Sequence, residues 1–155
     1  MKPLFLNPPT FEDFDGGAGA RYQASREVTS FWFPGWLTYP AGMIPGARVV
    51  DAPVQRLDLD ACLEIARDFD MVVMYTSTPT LAIDVETARR VKAQRPETVT
   101  VLTGPHVSVL PEESLRFADG AVDIVCRGEF DYSTTELCEG KPWEEVDGIS
   151  FMRDG

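Results

Sequence analysis

Histidine is nearly absent from this chain: His106 is the only one in 155 residues. A centre built on several imidazoles is therefore excluded. Cysteine is scarce as well. Cys62, Cys126 and Cys138 are odd in number and far apart, which fits reduced thiols rather than a disulfide framework. None has a Cys or His neighbour at metal-ligand spacing. No apolar run approaches the ~20 residues that cross a bilayer, so no transmembrane segment is expected. Met1 to Leu6 carries one cationic side chain, and its apolar stretch stops at Asn7-Pro8-Pro9. That is no secretory signal, and a cytoplasmic location is the expectation. Positive charge is also short. Against 25 Asp and Glu stand 14 Lys and Arg, a formal charge of −11, which argues against nucleic acid and anionic lipid as partners.

Several chemistries are missing too. No Gly-x-Gly-x-x-Gly follows the first apolar run, and no Gly-x-x-x-x-Gly-Lys-Ser/Thr occurs, so neither phosphate loop is present. No Ser or Cys sits at a nucleophile elbow beside a plausible base. Internal repeats and low-complexity tracts are not visible. A complete catalytic set is lacking, and the chain reads as a binding module.

What is present is a rhythm of strand ends. Leu4-Phe5-Leu6 stops at Asn7-Pro8-Pro9-Thr10, and Arg48-Val49-Val50 at Asp51-Ala52-Pro53. Met71 to Tyr75 stops at Thr76-Ser77-Thr78-Pro79-Thr80, Val99 to Leu102 at Thr103-Gly104-Pro105-His106, and Ile124-Val125-Cys126 at Arg127-Gly128-Glu129-Phe130. Helical patterns separate most of these runs. Alternating strands and helices give a parallel sheet, whose ligands bind beyond the strands' carboxyl ends. The expected fold is α/β: a flavodoxin-like or Rossmann-like three-layer sandwich with a mostly parallel sheet of about five strands.

Helices are expected from about Gly35 to Ile44, after Asp58, from Leu81 to a stop at Pro96, from Pro111, and from about Tyr132 to Glu139. Asp58 is a good N-cap, and Leu59, Cys62, Leu63, Ala66 and Phe69 share one helical face. Pro111 followed by Glu112 and Glu113 suits a helix start. Residues 10–34 are unusual, with a glycine-rich stretch at 15–20 and aromatics at Phe31-Trp32-Phe33 and Trp36. They read either as a long surface loop covering a core edge, or as a flap over a ligand or a docking face. Gly148 to Gly155 reads as a strand entering an Asp-Gly turn, with its partner expected beyond the turn.

Thr76, Ser77, Thr78 and Thr80 place four hydroxyls after the most apolar run. They can bind amides or phosphate oxygens, or one can cap the following helix with the rest as spacers. Gly104 would let backbone approach a ligand closely. His106 could ligate a metal, act as a base or hydrogen-bond locally, and a ligand-facing role without catalysis is the preferred reading. Glu129 would contact ligand amides or pair with Arg127. Asp51 would face the site or merely cap a turn.

The ordered set Leu6-Asn7-Pro8-Pro9, Val50-Asp51-Ala52, Thr76-Ser77-Thr78-Pro79, Gly104-Pro105-His106 with Leu110-Pro111-Glu112-Glu113, Val122 to Glu129, and Asp147-Gly148-Ile149-Ser150 resembles the N-terminal cobalamin-binding domain of B12-dependent radical SAM enzymes. Phe14 to Ala24 with Ser30-Phe31-Trp32-Phe33-Pro34 is similar to the subgroup associated with hopanoid lipid biosynthesis. The resemblance implies that residues 1–147 hold cobalamin over the sheet's carboxyl edge, and that 148–155 begin a linker or hairpin toward a radical SAM domain. By the same resemblance, Pro8, Pro9, Thr10, Asp51, Thr76, Ser77, Thr78, Pro79, Gly104, Pro105, His106, Gly128 and Glu129 would line the cofactor.

Two departures qualify it. The Asp-x-His-x-x-Gly motif of methionine-synthase-like domains is absent, since Pro9 to Asp13 follow the first strand. Cobalamin is therefore expected base-off, with no histidine on cobalt. The Cys-x-x-x-Cys-x-x-Cys cluster is also absent, so a 4Fe-4S cluster and SAM would belong to a downstream domain, and this chain alone would bind without turnover. The rival readings are a receiver-like or flavodoxin-like signalling or electron-transfer module, and a ligand-free interaction domain. A receiver would need acids after the first strand and an Asp after the third, where this chain has Asn7-Pro8-Pro9 and Thr76-Ser77-Thr78. FMN would need its hydroxyl-rich loop after the first strand.

Overall fold

The computed structural model describes residues 1–9 and 34–153. Its centre is a six-stranded sheet in the order β2-β1-β3-β4-β5-β6. The strands are β1 (Pro3–Asn7), β2 (Arg48–Asp51), β3 (Met71–Tyr75), β4 (Val99–Thr103), β5 (Ile124–Cys126) and β6 (Ile149–Phe151). The first five run parallel, and β6 pairs antiparallel with β5. This is the flavodoxin-like order, in which the chain reverses its direction of winding between β1 and β3.

The apolar runs form strands because both of their faces are covered. Alternate side chains belong to different cores. Leu4, Leu6, Val72, Met74 and Leu102 join α2 (Ala52–Gln55), α3 (Leu59–Ala66), α4 (Leu81–Gln94), α5 (Pro105–Val109) and α6 (Pro111–Ala118) on one side. Phe5, Met71, Val73, Val101 and Ile124 join α1 (Gly35–Met43) and α7 (Asp131–Glu139) on the other. Leu37 anchors α1 and is fully buried. Truncating such a leucine to alanine costs about 2–5 kcal/mol, through lost transfer energy and the cavity left behind.

Helix boundaries follow local chemistry. The Asp58 carboxylate accepts the Ala61 N–H at 2.8 Å, satisfying one orphan donor of α3. Leu59, Cys62, Leu63 and Ala66 are then all buried. In α4, helical spacing puts Leu81, Val85, Ala88 and Val91 on one face; the last three are buried and Leu81 half-buried, and the helix ends at Gln94, two residues before Pro96.

The expected α/β sandwich is present, its mostly parallel sheet holding six strands. The strand at 149–151 forms as expected and pairs with β5 at the edge of the sheet. One expectation is corrected. Pro105 and His106 open the short helix α5 instead of lying in an open loop; Pro105 is preset for the first helical turn. Thr10 and the aromatics Phe31, Trp32 and Phe33 lie outside the described residues.

Candidate functional site

Five parallel strands deliver their last residues to one edge. At its β1–β2 end, Asn7 and Asp51 are register partners, and Asn7 Nδ2 donates to Asp51 Oδ1 at 2.7 Å. Asp51 makes no side-chain cap to α2. Pro8 is buried and Pro9 half-buried beside them.

The hydroxyl stretch after β3 divides its roles. Ser77 and Thr80 close on each other: the Ser77 N–H donates to Thr80 Oγ1 at 2.9 Å, and the two hydroxyls lie 3.1 Å apart. That is the capping alternative, and it occupies both residues. Thr78 Oγ1 instead reaches His106 Nδ1 at 3.0 Å, joining the β3 and β4 ends. Pro79 is exposed in the 3-10 turn Thr78–Thr80. Thr76 is wholly buried; its N–H donates to the Thr103 carbonyl at 2.6 Å. The hydroxyls of Thr76 and Thr103 are both buried without a hydrogen-bond partner among the described residues.

Gly104 is buried at φ +108°, and a Cβ there would lie 2.6 Å from the Thr76 carbonyl oxygen and 3.0 Å from its nitrogen. The sequence reading reserved this glycine for a ligand. The structure shows that its bareness lets β4 and β3 backbones meet. Beyond it opens a cleft of about 460 Å³. Of the candidate site residues, Gly104, Pro105, Gly128 and Glu129 line it. His106 and the 76–79 stretch are not among its walls.

The other walls are Trp36, which belongs to the aromatic stretch noted in the sequence, and residues that sequence reasoning passed over. Trp36, from α1, stacks on Tyr75 at the end of β3, with centroids 5.7 Å apart and planes 21° apart. Phe130 tilts against Tyr75 at 6.5 Å. Burial pushes the Tyr75 phenol up from its ordinary pKa. Ser108, on α5, donates from Oγ to the Gly104 carbonyl at 2.7 Å and accepts the Gly128 N–H at 2.9 Å. Asp131 sits at the mouth with Glu129. Burial first, then the neighbouring Glu129 charge, raise its carboxyl above the ordinary range.

Among the described residues no group of three His, Cys, Asp or Glu side chains could hold a metal ion. The cysteines are buried. Desolvation raises Cys62 and Cys138 to about 11 and Cys126 to about 12, so none is a thiolate at neutral pH. The site instead offers an aromatic wall, a backbone floor bare of side chains at Gly104 and Gly128, and two carboxylate acceptors. Those features fit a broad, flat ring rimmed with amides better than they fit a bare ion.

A 2-1-3-4-5 sheet with a cleft at its carboxyl edge defines a flavodoxin-like ligand-binding module. The chain belongs to the B12 binding domain family, which it matches over residues 24–137. It is also 27% identical, over a 164-residue alignment, to an uncharacterized methyltransferase of Pyrococcus horikoshii. The alignment takes in the whole chain, which spans 33% of that protein's length. No helix of the described residues is long and apolar enough to cross a membrane.

Proposed function

We propose that this chain is the cobalamin-holding module of a larger B12-dependent radical SAM enzyme, of the kind its sequence resembles in hopanoid lipid biosynthesis. The observation that carries the reading is the coincidence of the B12 binding domain match with a cleft at the carboxyl ends of β3, β4 and β5. Residues 1–147 together with β6 form the module, and the chain after Phe151 leads out of it. The 4Fe-4S cluster and SAM belong to another domain of the parent protein, whose reaction is methyl transfer by analogy with the P. horikoshii relative.

Bound cobalamin supplies a cobalt able to carry a methyl group. The chain's own residues hold and orient it. Trp36, Tyr75 and Phe130 exclude water along one wall. Gly104 and Gly128 present backbone without side chains in the way, and the Glu129 and Asp131 carboxylates accept amide N–H donors of the corrin rim. Thr78 and His106, hydrogen-bonded to each other outside the cleft walls, join the set by resemblance. Pro8, Pro9, Thr10 and Asp51 complete the set by resemblance.

The cofactor binds with its own base displaced and without histidine on cobalt. No histidine follows β1, and none lines the cleft. The Thr78 contact orients the His106 ring, which a ligating imidazole would also need, so the spectrum must decide. Added hydroxocobalamin should co-elute with the chain near one-to-one in gel filtration, and His106→Ala should leave the cobalt spectrum unchanged. Folded protein eluting free of corrin absorbance would favour the signalling or interaction readings. Nitrogen coupling in cob(II)alamin that His106→Ala abolishes would make His106 the axial ligand.

A further inference from the structure

We infer that Ser108 is a positioning residue for the corrin: it fixes the β5 loop against the β4 loop and so sets the shape of the cleft floor. The inference rests on the cobalamin reading. Gly104 is wedged against Thr76 backbone, so the β4 end is rigidly referenced to β3. Gly128 is the opposite case. It is exposed at φ +65°, and nothing lies within 4 Å of where its Cβ would be. The backbone before it is tied by the Arg127 N–H to the Gly148 carbonyl at 2.7 Å, but no side chain packs over Gly128 itself, which leads directly into Glu129, Phe130 and Asp131 of the cleft lining. Ser108 bridges the two. Its one hydroxyl proton goes to the Gly104 carbonyl at 2.7 Å, and its oxygen receives the Gly128 N–H at 2.9 Å.

A serine that merely bonds back to the carbonyl four residues earlier is an ordinary helix feature. Accepting an amide from another strand end makes this one a cross-link. Glycine loops are entropically costly to order, and a floor ordered before the ligand arrives spares binding that cost. Ser108 also lines the cleft itself, so the cross-link and the ligand share one surface.

The experiment compares wild type, Ser108→Ala and Ser108→Thr, titrated with hydroxocobalamin and with cobinamide, the corrin without its nucleotide tail. Ser108→Ala should bind both about tenfold more weakly, as expected for the loss of hydrogen bonds that hold a site. Its unfolding midpoint should barely move. The Gly128 amide should exchange faster with solvent, and Ser108→Thr should restore its protection. Equal affinity in folded Ser108→Ala, or a loss confined to the form with the tail, overturns the inference while wild-type binding preserves the cobalamin reading. A wild type that binds neither corrin overturns both. Should Ser108→Ala not fold, the wild-type amide decides. Gly128 protected equally with and without hydroxocobalamin supports the cross-link, and an unprotected amide in the cofactor-free protein refutes it.

Discussion

Replacing Gly104 with alanine tests how the site is built. The residue sits at φ +108° and ψ −178°, a region that only glycine occupies comfortably. Forcing an L-residue there costs on the order of 1–3 kcal/mol. The new methyl would also stand 2.6 Å from the Thr76 carbonyl oxygen and 3.2 Å from Tyr75 Cε2. The first of these partners is strand-end backbone, tied to Thr103 by a 2.6 Å hydrogen bond, and cannot step aside cheaply. Overpacking of that kind adds about 1–3 kcal/mol. The sum is roughly 2–6 kcal/mol, or about 4–24 °C in Tm for a chain of this size. Gly128→Ala supplies the control. It shares the positive φ but meets nothing within 4 Å, so it should cost only the left-handed penalty of about 1–2 kcal/mol. Urea and thermal unfolding followed by circular dichroism would measure both. If the two variants lose equal stability, or Gly104→Ala stays within about 0.5 kcal/mol of wild type, the close β3–β4 approach is not what requires the glycine.

The hydroxyl stretch gives a paired expectation. Ser77→Ala should cost stability of about 0.5–2 kcal/mol by opening the cap with Thr80, and Thr78→Val should cost little stability but release the His106 ring, visible as a changed imidazole chemical shift. A stable Ser77→Ala would remove its capping role. Asp70 should give acid sensitivity: the Lys2 N–H first, then burial working against it and the Arg95 guanidinium, leave its carboxyl below the ordinary range. A depressed folded-state pKa contributes stability present above the ordinary aspartate range and lost as pH falls through the folded value, so Asp70→Asn should be less stable than wild type at pH 7 and converge with it in acid. The effect should be small, since Asp70 is half exposed; a gap that persists unchanged in acid would refute the assignment. Cys126 should resist thiol reagents at pH 7 until the chain unfolds, and rapid labelling of the folded protein would show that the β5 end opens.

Much of the fold was legible because both sheet faces are covered, which writes each inner strand as an unbroken apolar run. Met71 to Met74 is the clearest case. The short elements were not legible. α2 and α5 are too brief to show a helical period, and β6 read as an unfinished hairpin because antiparallel pairing with β5 has no local signature. The site was half legible. Glycines and hydroxyls at strand ends stand out, and four of them or their neighbours do reach the cleft. Ser108 gave no signal, since a serine in a short apolar helix looks like any other. Tyr75 could have been found: alternation with Met74 puts it on the face of Val73, where α1 lies. Trp36 was part of the aromatic stretch read as a core cover, a flap or a docking face, and the placement of α1 beside β3 is what puts it in the cleft wall.

The antiparallel sixth strand has a consequence for traffic along the chain. β5 runs toward the cofactor edge, and β6 retraces it, with Ile149 opposite Cys126 and Phe151 opposite Ile124. The backbone therefore leaves Phe151 at the rear of the sheet, a strand's length of about 10 Å behind the cleft edge. In the proposed parent protein, a domain following Phe151 would start from the end of the sheet opposite the cleft, so its link would run back at least the length of β5 before the domain could meet a ligand held there.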